Sequence, residues 1–141
     1  MIKVIFGLLV CPVMLYGCEL WASSTTVSKW KQIEKIQKCL IMGKFQIKNS
    51  VPYEKMLSEK WVDPIEEIAM VHIIRYLKRI EKMRVGRWPK VIYNEGISER
   101  KKTWMKQNYT WMQKWDIYLN SCPTNNKELN NFFMKKFCKR V

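Results

Sequence analysis

Five cysteines, one histidine and one Asn-x-Thr triplet are the chemistry-bearing residues of this 141-residue chain. Cys11 lies in an apolar run near the start. If that run is removed after Gly17, Cys18, Cys39, Cys122 and Cys138 remain. An even number of cysteines in a small secreted domain reads as two disulfides, with three possible pairings. The lone His72 falls in an apolar stripe and reads as a core histidine with one hydrogen-bond partner. One His and five Gly argue against a His-based metal site or a Gly-rich phosphate loop, so neither metal nor cofactor is expected. Cys39 and His72 fall on different predicted helices, and no acid–base pair or nucleophile motif appears. The sequence is therefore not that of an enzyme. Asn108-Tyr109-Thr110 is a glycosylation sequon.

The start of the chain bears on the compartment. Met1-Ile2-Lys3 is short and basic, Val4 to Tyr16 is apolar throughout, and Gly17-Cys18-Glu19 follows. This is the three-part pattern of a secretory signal peptide. The run is shorter than the roughly 20 residues that span a bilayer. The expected division is a signal peptide over 1–17 and one domain over 18–141, secreted and with no membrane insertion after cleavage. A buried N-terminal helix and a cut after Ala22 are the alternatives. Leu15-Tyr16-Gly17-Cys18 also loosely resembles a bacterial lipoprotein box.

The remainder is rich enough in apolar residues (48% overall) to pack one core, which excludes a disordered tail. It reads as four helices. The first covers about Thr25 to Met42, with Val27, Trp30, Ile33, Ile36, Leu40 and Ile41 on one broad face and Gly43 at its end. A long connection over 44–62 holds a possible strand, Lys44 to Lys48. The second helix has Asp63 as its cap, Pro64 in its first turn and Glu66 completing a capping box. Its face is Ile65, Ile68, Ala69, His72, Tyr76, Ile80 and Met83; Lys82 and Arg84 lie in its last turn and Gly86 stops it. Lys90 to Tyr93 is a second possible strand. Ser98 opens a third helix to about Leu119, whose stripe of Ile97, Trp104, Trp111, Met112, Trp115 and Tyr118 reads as core. Asn108 falls inside that face, so little glycan is expected on it. A fourth, short helix covers about Lys127 to Phe137. These elements predict an all-α four-helix bundle. The long first connection suits an up-up-down-down order, the cytokine type.

Local sequence sharpens that expectation. Leu119-Asn120-Ser121-Cys122-Pro123 resembles the end of the third helix of interleukin-4, and Leu129-Asn130-Asn131-Phe132 is similar to part of its fourth. Cys18 and Cys39 are spaced like that protein's first two cysteines. The chain resembles the interleukin-4 and interleukin-13 family of short four-helix cytokines. Only the Cys122 segment is specific, and the second helix lacks the cysteines that would partner Cys39 and Cys122 in the family pattern. The resemblance implies that Cys18 pairs with Cys138 and Cys39 stays free. If the last two helices are antiparallel instead, Cys138 meets Cys39 and Cys18 meets Cys122. Cys39 to Cys122 is disfavoured, because a helix of about 15 residues is over 20 Å long and a disulfide needs Cα atoms within about 7 Å.

The resemblance also implies a secreted, monomeric signal that binds a cell-surface receptor like the interleukin-4 receptor alpha chain and triggers immune signalling. Family members use an acid on the first helix and an arginine on the third. Those positions fall on Ser24 and on Trp111 or Gln113, so neither charge carries over. Glu34 is the nearest candidate acid, and Lys106, Gln113 and Lys114 are the candidates on the third helix. A net charge of +14 suits anionic glycosaminoglycans as a further partner. It also suits a basic nucleic-acid-binding module, which with a secreted lipoprotein or toxin is the competing reading. The leader and the lack of a nucleic-acid motif argue for no nucleic acid. Arg100, Lys101 and Lys102 form a basic cluster of their own.

Overall fold

Pro12 has no backbone N–H, and its ring collides with the carbonyl four residues before it, so the apolar start cannot continue as one regular helix. A computed structural model of the chain describes residues 2–45, 52, 55, 64–99, 103–123, 125, 127–129, 131, 132 and 135. In it, helix α1 (Ile2–Ile5) widens into a π-helical turn over Phe6–Val10, and α2 (Cys11–Met14) carries Pro12 in its first turn. The widened turn accommodates the proline. Gly17 then takes the left-handed conformation at φ 65°, which glycine adopts without strain, and breaks the chain direction. Helix α3 (Cys18–Trp21) and a 3₁₀ turn (Ala22–Ser24) follow.

The chain divides into two compact units, Met1–Tyr16 with Thr25–Ile68, and Gly17–Ser24 with Ala69–Val141. In the first unit, α4 (Val27–Phe45) starts where the Thr26 hydroxyl accepts from the Lys29 N–H at 3.4 Å. Trp30 and Gln37 are buried and Ile33 and Glu34 half-buried, whereas Val27, Ile36 and Leu40 are exposed. The expected apolar face is thus only partly inward. Glu34 must reach the start of the next helix, and that turns the Trp30–Glu34–Gln37 strip inward instead. Lys44 and Phe45 end α4 rather than opening a strand, and Gln46 to Lys48 lie outside the described residues.

Helix α5 (Ile65–Glu81) begins beside Pro64, with Glu66 and Glu67 at the positive end of its dipole. Asp63 lies outside the described residues. The buried positions are Ile65, Ala69, Met70, Ile73, Ile74, Leu77 and Ile80, while His72 is exposed and Tyr76 half-buried. The core face is therefore rotated from the one expected. A face of Met70, Ile73, Ile74 and Leu77 buries no polar atom, whereas burying His72 would require a partner. The helix ends at Glu81, where the Lys90 ammonium donates to the Glu81 carbonyl at 3.2 Å.

In the second unit, Lys90 to Tyr93 is helical rather than a strand. It belongs to α6 (Trp88–Ser98), which opens with Pro89 in its first turn. Ser98 closes this helix, its hydroxyl donating to the Glu95 carbonyl at 2.9 Å, and does not open the next. Helix α7 (Trp104–Lys114) is capped by Thr103, whose hydroxyl accepts from the Lys106 N–H at 3.4 Å and donates to the Gly96 carbonyl at 2.9 Å. One side chain thus joins α6 to α7. Helix α7 stops at Lys114, short of the expected Leu119. Asp116 takes φ 54°, the Asp116 N–H donates to the Gln113 carbonyl at 2.9 Å and the Ile117 N–H to the Met112 carbonyl at 3.0 Å. This is a Schellman stop, sealed by buried Ile117 and Met112. A 3₁₀ turn (Leu119–Ser121) follows.

Beyond it, Lys127 to Leu129, Asn131, Phe132 and Lys135 are helical, and the Asn125 side chain accepts from the Lys127 N–H at 3.1 Å. Phe133, Phe137, Cys138 and the Arg100–Lys102 cluster lie outside the described residues. The protein is all-α, with no strand among the described residues.

Candidate functional site

Helix α7 runs through the second unit, and a surface cavity opens at its C-terminal end. Tyr109 lies half-buried on α7, with its hydroxyl hydrogen-bonded to that of Tyr93 on α6. Two turns of sequence later the Schellman stop turns the chain, so Tyr118 emerges exposed instead of continuing the helical face. Between them opens a cavity of about 340 Å³, lined by Glu81, Ile97, Tyr109, Gln113, Tyr118 and Asn120 among others. Burial, and then the bond to Tyr93, push the Tyr109 phenol above its ordinary range. Burial raises Tyr93 as well. Both phenols stay protonated, so they act as hydrogen-bonding, apolar-bodied contacts rather than as bases.

Gln113 is exposed at the rim of this cavity and Lys114 is exposed beside it. Lys106 is half-buried one face-repeat earlier, about 10 Å along the axis from Gln113. The three α7 candidates therefore share one helix, and Gln113 is the one that meets the aromatic rim. Glu34 belongs to the first unit. Its Oε1 accepts from the backbone N–H groups of Ile65 at 2.6 Å and Glu66 at 3.3 Å, capping α5. The candidate acid is a part-buried cap.

A single helix from Ser98 to Leu119 would carry Ile97 and Tyr118 on its core stripe. The structure exposes both and makes them part of the site. Asp116-Ile117, an αL-tolerant residue before an apolar one, was the available signal for the break.

Among the described residues, Cys11, Cys18, Cys39 and Cys122 form no disulfide with one another. Cys18 is buried, and burial with the charge of Glu19 pushes its pKa up to about 12. The Cys122 Sγ donates to the Tyr118 carbonyl at 3.3 Å, so the Cys18–Cys122 alternative is not formed. Cys39 is exposed on α4. Pairing with Cys138 lies outside the described residues. Asn108 is fully buried, its Nδ2 donating to the Glu19 carbonyl at 2.8 Å, which ties α3 to α7. Its Oδ1 is buried with no hydrogen-bond partner among the described residues.

Among the described residues no cluster of three metal-ligating side chains exists, and no single helix is long and apolar enough to cross a membrane. No protein-family model, curated protein or solved structure matches the chain.

Proposed function

We propose that this chain is a secreted, interleukin-4-like signalling protein. Residues 18–141 form a helical domain of the up-up-down-down cytokine type, with the 11-residue α6 added in the connection between α5 and α7, and it acts by binding a cell-surface cytokine receptor, without chemistry of its own. The observation that carries the reading is the bare apolar surface before Gly17. Phe6, Cys11 and Leu15 are buried there, but Val4, Ile5, Leu8, Leu9, Val13 and Tyr16 are exposed, Val13 by 77% and Tyr16 by 86%. An apolar segment with that much bare surface suits a translocated leader better than a soluble core helix. After it, Cys18 and Ala22 are buried within the second unit. A cut after Gly17 keeps those core residues, and a cut after Ala22 discards them. Burial of Cys18 also argues against its lipidation.

The receptor surface is assigned to the Tyr109–Gln113–Tyr118 rim with Lys106 and Lys114. Tyrosines at the edge of a concavity are the residue type that dominates interface hot spots. Glu34 is left out of that surface because its carboxylate caps α5.

Expression in animal cells tests both parts. The secreted product is expected to begin at Cys18 and to bind the ectodomain of an interleukin-4 receptor alpha chain. Tyr118→Ala with Gln113→Ala is expected to weaken that binding more than tenfold, about 1.4 kcal/mol. An uncleaved intracellular chain, or a secreted one without receptor affinity, overturns the proposal.

A further inference from the structure

The turn between α5 and α6 holds a second concavity that the receptor reading does not use. Within Arg79 to Lys90 stand five cations and one acid. Four of the cations, Arg79, Lys82, Arg84 and Arg87, line one groove of about 410 Å³ floored by Met83. All four are exposed. The acid, Glu81, is turned away to Lys78, at 3.8 Å, and among the described residues no carboxylate pairs with Arg79, Arg84 or Arg87. The negative end of α5 is also neutralised there, because Lys90 takes the Glu81 carbonyl. A second hollow of about 370 Å³ continues from Met83 and Arg87 to Gly86, Trp88 and Pro89. Trp88 is 78% exposed, its indole presented beside the charged stretch.

We infer that this groove is a binding site for a sulfated polysaccharide. Guanidinium groups grip sulfate oxygens in the forked geometry they use for phosphate and carboxylate. A linear polyanion threads a concave run of cations, and an exposed indole offers an apolar face to a sugar ring. Like-charged side chains held within one turn repel one another, and a bound polyanion relieves that repulsion. The choice of polysaccharide over nucleic acid rests on the secreted reading; the groove itself does not.

The test uses the full purified chain on immobilised heparin across a salt gradient. Arg84→Ala with Arg87→Ala is expected to lower the slope of log affinity against log salt by about two. Lys31→Ala with Lys35→Ala, which removes the same charge from exposed positions of α4, is expected to leave it nearly unchanged. Trp88→Ala is expected to weaken binding by about fivefold with the slope preserved. An equal loss in the two double variants means a diffuse charge effect and overturns the site. So does tighter capture, through the same residues, by a single-stranded oligonucleotide or by phosphatidylserine vesicles of matched charge. A chain that fails to be secreted yet loses heparin affinity on Arg84 and Arg87 replacement overturns the secreted reading and leaves the groove standing.

Discussion

Oε1 of Glu34 accepts the backbone N–H of Ile65 at 2.6 Å, across 31 residues of sequence. A carboxylate from α4 thereby serves as the cap of α5, a role a local Ser, Thr or Asp usually fills. Replacing Glu34 by Ala is expected to cost about 1–2 kcal/mol of stability, and Glu34→Gln less, since the amide oxygen still accepts but without charge. Denaturant melts check this. A Glu34 variant that lost receptor binding with stability unchanged would restore the acid to the binding surface.

Asn108 is a sequon residue whose amide nitrogen is already engaged. The folded protein has no room for a glycan there, so a chain secreted as proposed is expected at its unglycosylated mass. Asn108→Asp puts a carboxylate against the Glu19 carbonyl and is expected to destabilise by about 2–3 kcal/mol. Intact-mass spectrometry and thermal melts give the two readouts. Full occupancy would mean that α3 does not dock on α7.

The cysteines differ sharply in access. Among the described cysteines of the reduced, folded chain, Cys39 is expected to react first with iodoacetamide. Cys18, buried and with a pKa near 12, is expected to lag by more than a hundredfold at pH 8. Peptide mapping after timed labelling resolves them. Comparable rates at Cys18 and Cys39 would contradict the burial of α3.

His72 lies on the exposed side of α5, and partial desolvation, then the charge of Arg75, hold its pKa below the ordinary 6.5; Glu19 opposes them. The folded state thus binds a proton less readily than the unfolded one. The associated stability is present above about pH 6.5 and declines as pH falls through the lower folded value. Arg75→Gln is expected to raise the His72 midpoint in an NMR titration. A midpoint above 6.5 in the unsubstituted chain would reverse the sign.

The start of α5 is legible because Pro64, Glu66 and Glu67 write a helix N-terminus within four residues. Its buried face is not, because the helix carries apolar residues on two adjacent faces, and only the partners of Met70 and Ile74 decide between them. Val91-Ile92 suggested a strand over a window of four residues, yet Trp88-Pro89 just before it is a helix opening, and tertiary packing of Tyr93 settles the helix. The α7 residues of the site were legible as charged or polar positions. The cavity that gives Gln113 its context depends on where the helix stops, and that stop rests on a non-glycine residue at φ 54°. The charge of Glu34 is visible in the sequence, but no local pattern reports a bond to a backbone so distant in the chain.

The Asn108–Glu19 bond joins residues 89 apart. On a ribosome adding roughly 5–20 residues per second, α3 waits about 4–18 s for its partner to be made. When Asn108 emerges, the Glu19 carbonyl is already waiting, so on the secreted reading docking and glycan transfer are rival clocks running on the same side chain. The unglycosylated mass expected for the chain requires docking to finish first.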